Sequence, residues 1–372
     1  TGGGDDVQQL FDINGDTIFA TTGAFIDGYF LAQMPNSAAF RWSAINDGTQ
    51  WDPIDFATKT GDSYNIVSLI VDHEEIVILG ERSSEIWGDS GAAPPANPFA
   101  RIPGAFIEQG SAATFAACKL DNSVFWLGQD VNGQAIVWRA IGYLPKRISN
   151  HAVETAIQSY PTRSDAEAYA YQDGGHLFYV LSFPTADVTW VYDCATDMWH
   201  KRGLWNPAIG RYERDIARCH AYVFNTHVVG DWRNGNLYAQ SIDYYDDNGA
   251  PIRRLRRAPH LHDEAEFVHY DHLQLDLEVG MGPNEPSGDA PQAMMRYSDD
   301  GGKTWSNERW ASLGKVGQTR QRVFWNRIGH SIDRVFEIVI TDPINVAMID
   351  GYLKTRKGLR PWPNAIDGTG TR

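Results

Sequence analysis

Short apolar or alternating runs recur between turn signals along most of the chain, the patterning that predicts β-strands. Val67-Ser68-Leu69-Ile70-Val71 and Glu75-Ile76-Val77-Ile78-Leu79 flank Asp72-His73-Glu74 and predict a hairpin. Val124-Phe125-Trp126-Leu127 and Ala135-Ile136-Val137-Trp138 flank Asn132-Gly133 in the same way. His176 to Leu181 and Val188 to Tyr192 form a third pair around Pro184. Thr17-Ile18-Phe19-Ala20 follows Asn14-Gly15, a strong short hairpin signal, and predicts a strand. Val335 to Ile340 predicts another, halted by Asp342-Pro343. One segment reads as helix. Ser149 or Asn150 can cap it, His151 to Ser159 carries Ala152, Val153, Ala156 and Ile157 on one side, and Pro161 ends it. One short helix in so long a chain predicts an all-β architecture.

A repeat overlies the strands. Trp42, Trp87, Trp138, Trp190 and Tyr238 stand at corresponding strand ends, separated by 45, 51, 52 and 48 residues. A four-stranded propeller blade takes ~40–50 residues, so the spacing predicts β-propeller-like blades. The expected division is residues 1–258 as blades, 259–358 as a C-terminal β-rich region (a closing blade or a sandwich), and 359–372 as a loose tail. Pro and Gly crowd residues 281–292, which predicts a loop.

Composition agrees. Thirteen Trp and 35 Gly suit many strands joined by tight turns. The longest aliphatic stretches, such as Ile76 to Leu79, are strand-sized, so no membrane span is expected. Cys118, Cys194 and Cys219 are too few and too widely spaced for a disulfide framework or a zinc pattern, and read as free thiols of a reducing cytoplasm. The net charge of −15 is uneven. Residues 1–100 hold 15 acidic and 3 basic side chains, whereas residues 301–372 hold 6 acidic and 12 basic. A protein that grips nucleic acid through phosphates should be basic overall; this one is not.

The sharpest local motif is Ser298-Asp299-Asp300-Gly301-Gly302-Lys303-Thr304-Trp305, which fits the Asp-box pattern S-x-D-x-G-x-T-W. In that pattern Asp300 accepts turn N–H groups, Gly302 takes a conformation closed to residues with a Cβ, and Trp305 packs beneath. Its expected role is structural, in a hairpin built from Ser298, Asp300, Gly302, Thr304 and Trp305. Asn46 to Trp51 is a weaker echo. Asp boxes and Arg101-Ile102-Pro103 also occur in sialidases, but nothing singles out an arginine triad or a Tyr–Glu nucleophile pair. Gly88-Asp89-Ser90-Gly91 looks like a serine-protease segment, yet a polar turn accounts for it better in the absence of a matching His and Asp. His260, His262, His269 and His272 lie near Asp263 and Glu264 and could share a metal. The preceding Arg253-Arg254-Leu255-Arg256-Arg257 opposes a cation, so a linker or subunit contact is preferred. No Gly-rich phosphate loop joins a strand to a helix. No catalytic, cofactor or metal residues are therefore expected, and the chain reads as a non-enzyme.

The central stretch runs from Phe99-Ala100-Arg101-Ile102-Pro103-Gly104 through Glu108-Gln109-Gly110, Asp121 to Gly128 and Val137-Trp138-Arg139 to Arg147-Ile148-Ser149. It continues through Phe183-Pro184-Thr185 and Trp190-Val191-Tyr192-Asp193 to Met198-Trp199-His200, and Arg322 to Gly329 closes the series. Together these segments resemble the packaged-DNA stabilisation (tail nozzle or hub) proteins of short-tailed bacteriophages, over residues 40–357. The resemblance implies a structural virion protein of the tail, assembled in the bacterial cytoplasm. It implies a homo-hexameric ring that extends the portal channel, helps retain packaged DNA and lets it pass during ejection. The implied partners are the portal or head-to-tail adaptor, a tail needle or plug, and tail fibres or spikes, with no cofactor. Duplex DNA would transit without tight binding.

Within such a ring, an acid-lined lumen would repel the duplex. Asp5, Asp6, Glu74, Glu75, Asp246 and Asp247, paired carboxylates near turns, are the candidate lumen acids. Arg253, Arg254, Arg256 and Arg257 are the candidate subunit contacts, because the acidic N-terminal third offers a complementary surface. The alternative reading is a glycan-binding or sialidase-like propeller.

Overall fold

The computed structural model describes residues 9–92, 96–129, 135–264, 266–278, 280, 290–318 and 320–357. It is 57% strand and 2% helix, so the all-β reading stands. The chain divides into two units, Thr1–Ser241 and Ile242–Arg372. The division precedes the expected 258 because Arg254–Arg257 pairs with Asp333–Ile340, Arg254 opposite Ile340 and Arg257 opposite Glu337. That pairing ties the arginine run to the second unit.

Among the described residues, the first unit contains five antiparallel sheets of three or more strands, each following chain order along its main path. The first is Gly23–Ile26, Tyr29–Gln33, Ala39–Ala44 and Asp47–Thr58; the second is Ile66–Asp72, Glu75–Gly80, Ser84–Asp89 and Phe99–Ile107. Cys118–Leu120, Ser123–Gln129, Ile136–Ile141 and Leu144–Arg147 form the third, with Gly110–Ser111 added beside Ser123–Gln129. The fourth is Glu167–Asp173, His176–Phe183, Val188–Asp193 and Met198–Arg202, and the fifth is Ala217–Val223, Thr226–Asp231 and Leu237–Gln240. A small hairpin, Leu204–Asn206 with Arg211–Glu213, lies between the last two in sequence.

The repeat is real. Trp42, Trp87, Trp138, Trp190 and Tyr238 each fall in the third strand of their sheet. A second marker recurs in the first hairpin of every sheet, where two consecutive turn residues have positive φ. The pairs are Asp27-Gly28, His73-Glu74, Asp121-Asn122, Gly174-Gly175 and Phe224-Asn225. Such two-residue turns match the right-handed twist of the flanking strands, which fixes the hairpin register.

The second strand of each central sheet explains why its sequence reads as an unbroken apolar run. Successive side chains alternate faces, and both faces are covered by neighbouring sheets. Ile76 and Ile78 enter a core with Phe40, Trp42, Trp87 and Phe99, whereas Val77 and Leu79 enter the next with Val124 and Trp126. Phe125 and Leu127 then face Tyr179, Leu181 and Phe183. The first strands adjoin: Gly23–Ile26 beside Ile66–Asp72, Cys118–Leu120 beside Glu167–Asp173, and Glu167–Asp173 beside Ala217–Val223. Sheets stacked face to face with adjoining inner strands are propeller blades.

The helix is His151–Gln158, and the Asn150 side chain caps it by accepting from Val153 N at 3.0 Å. Val153 and Ile157 enter the core between the third and fourth sheets, while Ala152 is exposed. Glu154 is buried instead, accepting from Arg147 Nε at 2.6 Å and Ser149 Oγ at 2.7 Å. The segment Thr17–Ala20 is not a strand; an isolated bridge from Phe11 to Thr17 closes around Asn14-Gly15. The Asn132-Gly133 turn, most of the 281–292 loop and the 359–372 tail lie outside the described residues.

The second unit is a β-sandwich. One sheet orders Arg254–Arg257, Asp333–Ile340, Gln292–Ser298 and Arg309–Ser312, and Leu261–His262 also pairs with Asp333–Ile340. The other orders Val323–Ser331, Val268–Leu277 and Met348–Lys357. Tyr270, Leu273, Leu275 and Trp325 from the second meet Ala293, Met295, Phe336 and Ile338 from the first in one core. Of the two expectations for this region, closing blade or sandwich, the sandwich is the one observed.

Candidate functional site

The first hairpins of the first two sheets bring carboxylates together at one edge. Asp27, Glu74, Glu75 and Asp89 line a depression of about 680 Å³ with His73, Gly88 and Arg101. Burial holds the Asp27 carboxyl above its ordinary value, and the nearby Asp89 and Glu74 charges add to the shift. Glu75 Oε1 accepts from the Tyr143 hydroxyl at 2.5 Å, so a third sheet contributes to the same edge, and the bond raises the Tyr143 pKa.

Glu74 and Glu75 are joined by Asp27 and Asp89, which sequence reading did not select. Asp246 and Asp247 lie in the second unit, paired with Ala250–Pro251. Asp5 and Asp6 lie outside the described residues. In Gly88 to Gly91, the Ser90 hydroxyl donates to the Asn97 and Pro98 carbonyls, and Asp89 Oδ1 accepts from Gly91 N at 2.6 Å. His73 Nδ1 sits 2.9 Å from Asp72. These are turn bonds.

The four clustered histidines disperse. His260 Nδ1 meets Asp333 Oδ2 at 2.8 Å, His272 Nδ1 meets Asn326 Oδ1 at 2.6 Å, and His269 packs on His330. Among the described residues no group of three or more His, Cys, Asp or Glu is placed to hold a metal.

The arginine run is partly committed within its own unit. Arg254 is half-buried and donates to the Asp342 and Tyr245 carbonyls, whereas Arg256, further along the same strand, is exposed. Arg257 reaches Glu337 at 2.6 Å. Arg296 reaches the other oxygen of the same carboxylate at 2.5 Å, and Glu337 itself is 0% exposed. Both guanidinium groups lie 4.8 Å from the Trp305 ring. Trp305 therefore covers an ion triad, not an apolar floor.

The loop before Trp305 is built around Asp300. Its carboxylate accepts from Lys303 N at 2.9 Å, Thr304 N at 2.9 Å and Thr304 Oγ1 at 2.6 Å, while Ser298 Oγ donates to it at 2.7 Å. Gly302 has a φ of 93°. The preceding residue anchors the loop: Asp299 takes two bonds, 2.6 and 2.7 Å, from Arg334. Arg334 is 1% exposed, donates to the Ile328 and His330 carbonyls, and stacks on Tyr270 and Tyr297. Arg334 and Glu337 were missed in the sequence reading. Their signal was there: Arg334 precedes, and Glu337 interrupts, the apolar run from Val335 to Ile340.

Asp300 gives a pH-dependent prediction. The Thr304 hydroxyl and backbone, with Ser298 and Lys303, hold its carboxyl far below the ordinary range. Its folded value is depressed, so its stabilisation is complete above the unfolded value near ~4 and is lost as pH falls toward the folded one. Asp300→Ala is expected to lower the melting temperature at pH 7, with the deficit shrinking only below about pH 4. Melting curves of both proteins from pH 7 to 2 check it, and equal values at pH 7 would refute it.

Solved structures with related folds are distant. A variant of exo-β-1,3-galactanase from Phanerochaete chrysosporium aligns at 10% identity over 93% of this chain and 99% of that one, with a TM-score of 0.34. YCF48 from Cyanidioschyzon merolae aligns at 12% identity over 90% and 95%, with a TM-score of 0.31. Scores this low carry no functional argument. No curated protein sequence matches the chain. Family models do: bacteriophage P22 Gp10, β-propeller, over residues 4–243, and bacteriophage P22 Gp10, β-sandwich, over residues 253–356. With both parts present in order, and with blades and sandwich where those models place them, the chain belongs to the bacteriophage P22 Gp10 family of packaged-DNA stabilisation proteins.

Proposed function

We propose that this chain forms the ring-shaped nozzle of a short-tailed phage tail, extending the portal channel, retaining packaged DNA and letting it pass during ejection. The observation that carries this reading is the match of both units, in order, to one phage family. On this reading six copies assemble in the host cytoplasm and meet a head-to-tail adaptor, a needle or plug, and fibres or spikes.

The charge distribution supports a surface past which DNA slides. Residues 1–241 hold 28 acidic and 15 basic side chains, whereas residues 242–372 hold 19 and 17. The propeller unit thus carries nearly all the net charge. Its Asp27–Glu74–Glu75–Asp89 edge is the best-formed candidate for facing the duplex. Four carboxylates against the one guanidinium of Arg101 leave that edge net acidic, which disfavours adhesion to phosphates. In the second unit, Asp246 and Asp247 would add to the acidic lining, and the exposed Arg256, with its neighbours Arg253, Arg254 and Arg257, remains the candidate subunit contact.

Two measurements test the reading. Native mass of the purified protein is expected to show six copies; a monomer or trimer that binds glycans would favour the glycan-binding propeller instead. Duplex binding, followed across salt concentration, is expected to be undetectable at physiological salt. Replacing Glu74 and Glu75 by lysine should create salt-sensitive binding, its log–log slope steepening by about 0.9 for each new phosphate contact. Tight, salt-sensitive binding by the unmodified protein would overturn the repulsive edge.

A further inference from the structure

The fifth sheet carries a histidine pair that the tail reading does not use. In the hairpin of Ala217–Val223 with Thr226–Asp231, His220 stands opposite Val229 and His227 opposite Tyr222. The two histidines are diagonal neighbours on one face. His220 Nε2 lies 2.9 Å from His227 Nδ1, and the ring centroids are 5.1 Å apart. Tyr169 stacks on His220 at 5.8 Å, Tyr171 packs against both rings, and Tyr222 lies 4.8 Å from His227. Both histidines are half-buried, so part of the pair remains open to water.

We propose that His220 and His227 form a bidentate site for a divalent transition metal of tetragonal preference, Cu(II) before Ni(II). The spacing of the two nitrogens matches one coordination geometry. An imidazole nitrogen sits about 2.0–2.1 Å from such an ion, and two nitrogens 2.9 Å apart then subtend about 90° at it. That is the cis angle of a square-planar or tetragonal centre. A tetrahedral zinc needs the nitrogens about 3.3 Å apart, so the pair would have to open. Imidazole suits copper and nickel, and copper heads the affinity order for such donors.

Binding requires one rearrangement. The ring that now donates moves its proton to its other nitrogen through water, and both rings turn so that their lone pairs converge. No net proton leaves the protein. Water completes the coordination, since no third His, Cys, Asp or Glu joins the pair among the described residues. The next residue in the chain, Cys219, belongs to the opposite face, packed toward Gly230. The bound metal would staple the first hairpin of the fifth sheet, whose turn carries Phe224, 99% exposed at a φ of 51°.

The test adds Cu(II) to the tag-free full chain and reads electron paramagnetic resonance and melting temperature. One equivalent bound by two imidazole nitrogens, with a raised melting temperature, is expected. His220→Gln and His227→Gln should each weaken binding by about tenfold or more. His269→Ala, which removes the other close ring pair, should leave it unchanged. Metal-free melting temperatures of the variants show whether they fold. Protection of His220 and His227 from diethylpyrocarbonate by copper, in the unmodified chain, gives the same answer without a variant. A two-nitrogen signal that survives His227→Gln, its loss in His269→Ala, or no copper uptake at one equivalent overturns the site.

Discussion

Trp126→Ala is expected to destabilise the propeller unit by about 3–5 kcal/mol, the usual cost of emptying a large aromatic site in a core that cannot collapse around it. Trp126 is 0% exposed and packs among Val77, Leu79, Ile86, Ala105 and Ile107 of the neighbouring sheet. Its Nε1 donates to the Gly110 carbonyl at 3.1 Å, which the substitution would strand. Its own sheet and the neighbouring one are each tied by backbone bonds, so neither can move in to fill the space. Trp126→Phe keeps most of the volume and loses the hydrogen bond, and should cost much less. Denaturant unfolding, followed by amide exchange in residues 1–241, reads the difference. A loss below about 1 kcal/mol for the alanine would show that the sheets relax together.

Glu337→Gln is expected to cost the sandwich about 3 kcal/mol, the lower end of the range for removing one partner of a buried ion pair. The reason is asymmetric. Glu337 is wholly enclosed, but the Arg257 and Arg296 side chains are 52% and 29% exposed, so each can regain some water once its partner is neutral. The glutamine keeps the shape and can accept only part of what the carboxylate accepted. Replacing Arg257, Arg296 and Glu337 together by apolar residues should recover much of the loss, because the desolvation of all three charges is then removed. A triple variant no better than Glu337→Gln would show that the triad contributes more than it costs. Amide exchange in residues 242–357 locates the effect.

How much was legible follows from where each contact is made. The hairpins around His73-Glu74 and Pro184 and the helix start at Asn150 were readable, because each depends on a few adjacent residues. Residue identity at Phe224 pointed away from a turn, since a bulky residue at positive φ is unfavourable, yet the hairpin register places it there. Glu154 is a charged residue buried in the helix, because Arg147 and Ser149 reach it from the preceding segment.

By itself the sequence determined the all-β class, the blade repeat and the family, since strand periodicity, turn chemistry and aromatic spacing are local or periodic signals. Tertiary structure alone decided that residues 259–357 form a sandwich and that Arg254–Arg257 belongs with it, because strand pairing 80 residues apart leaves no local trace. It also decided which charges work together. Asp27 joins Glu74 and Asp89, Glu337 joins Arg257 and Arg296, and His220 meets His227. Most of these meetings are made by strands and hairpins brought side by side across different sheets or distant segments. Electrostatic partnership depends on distance in space, and only the fold sets that distance.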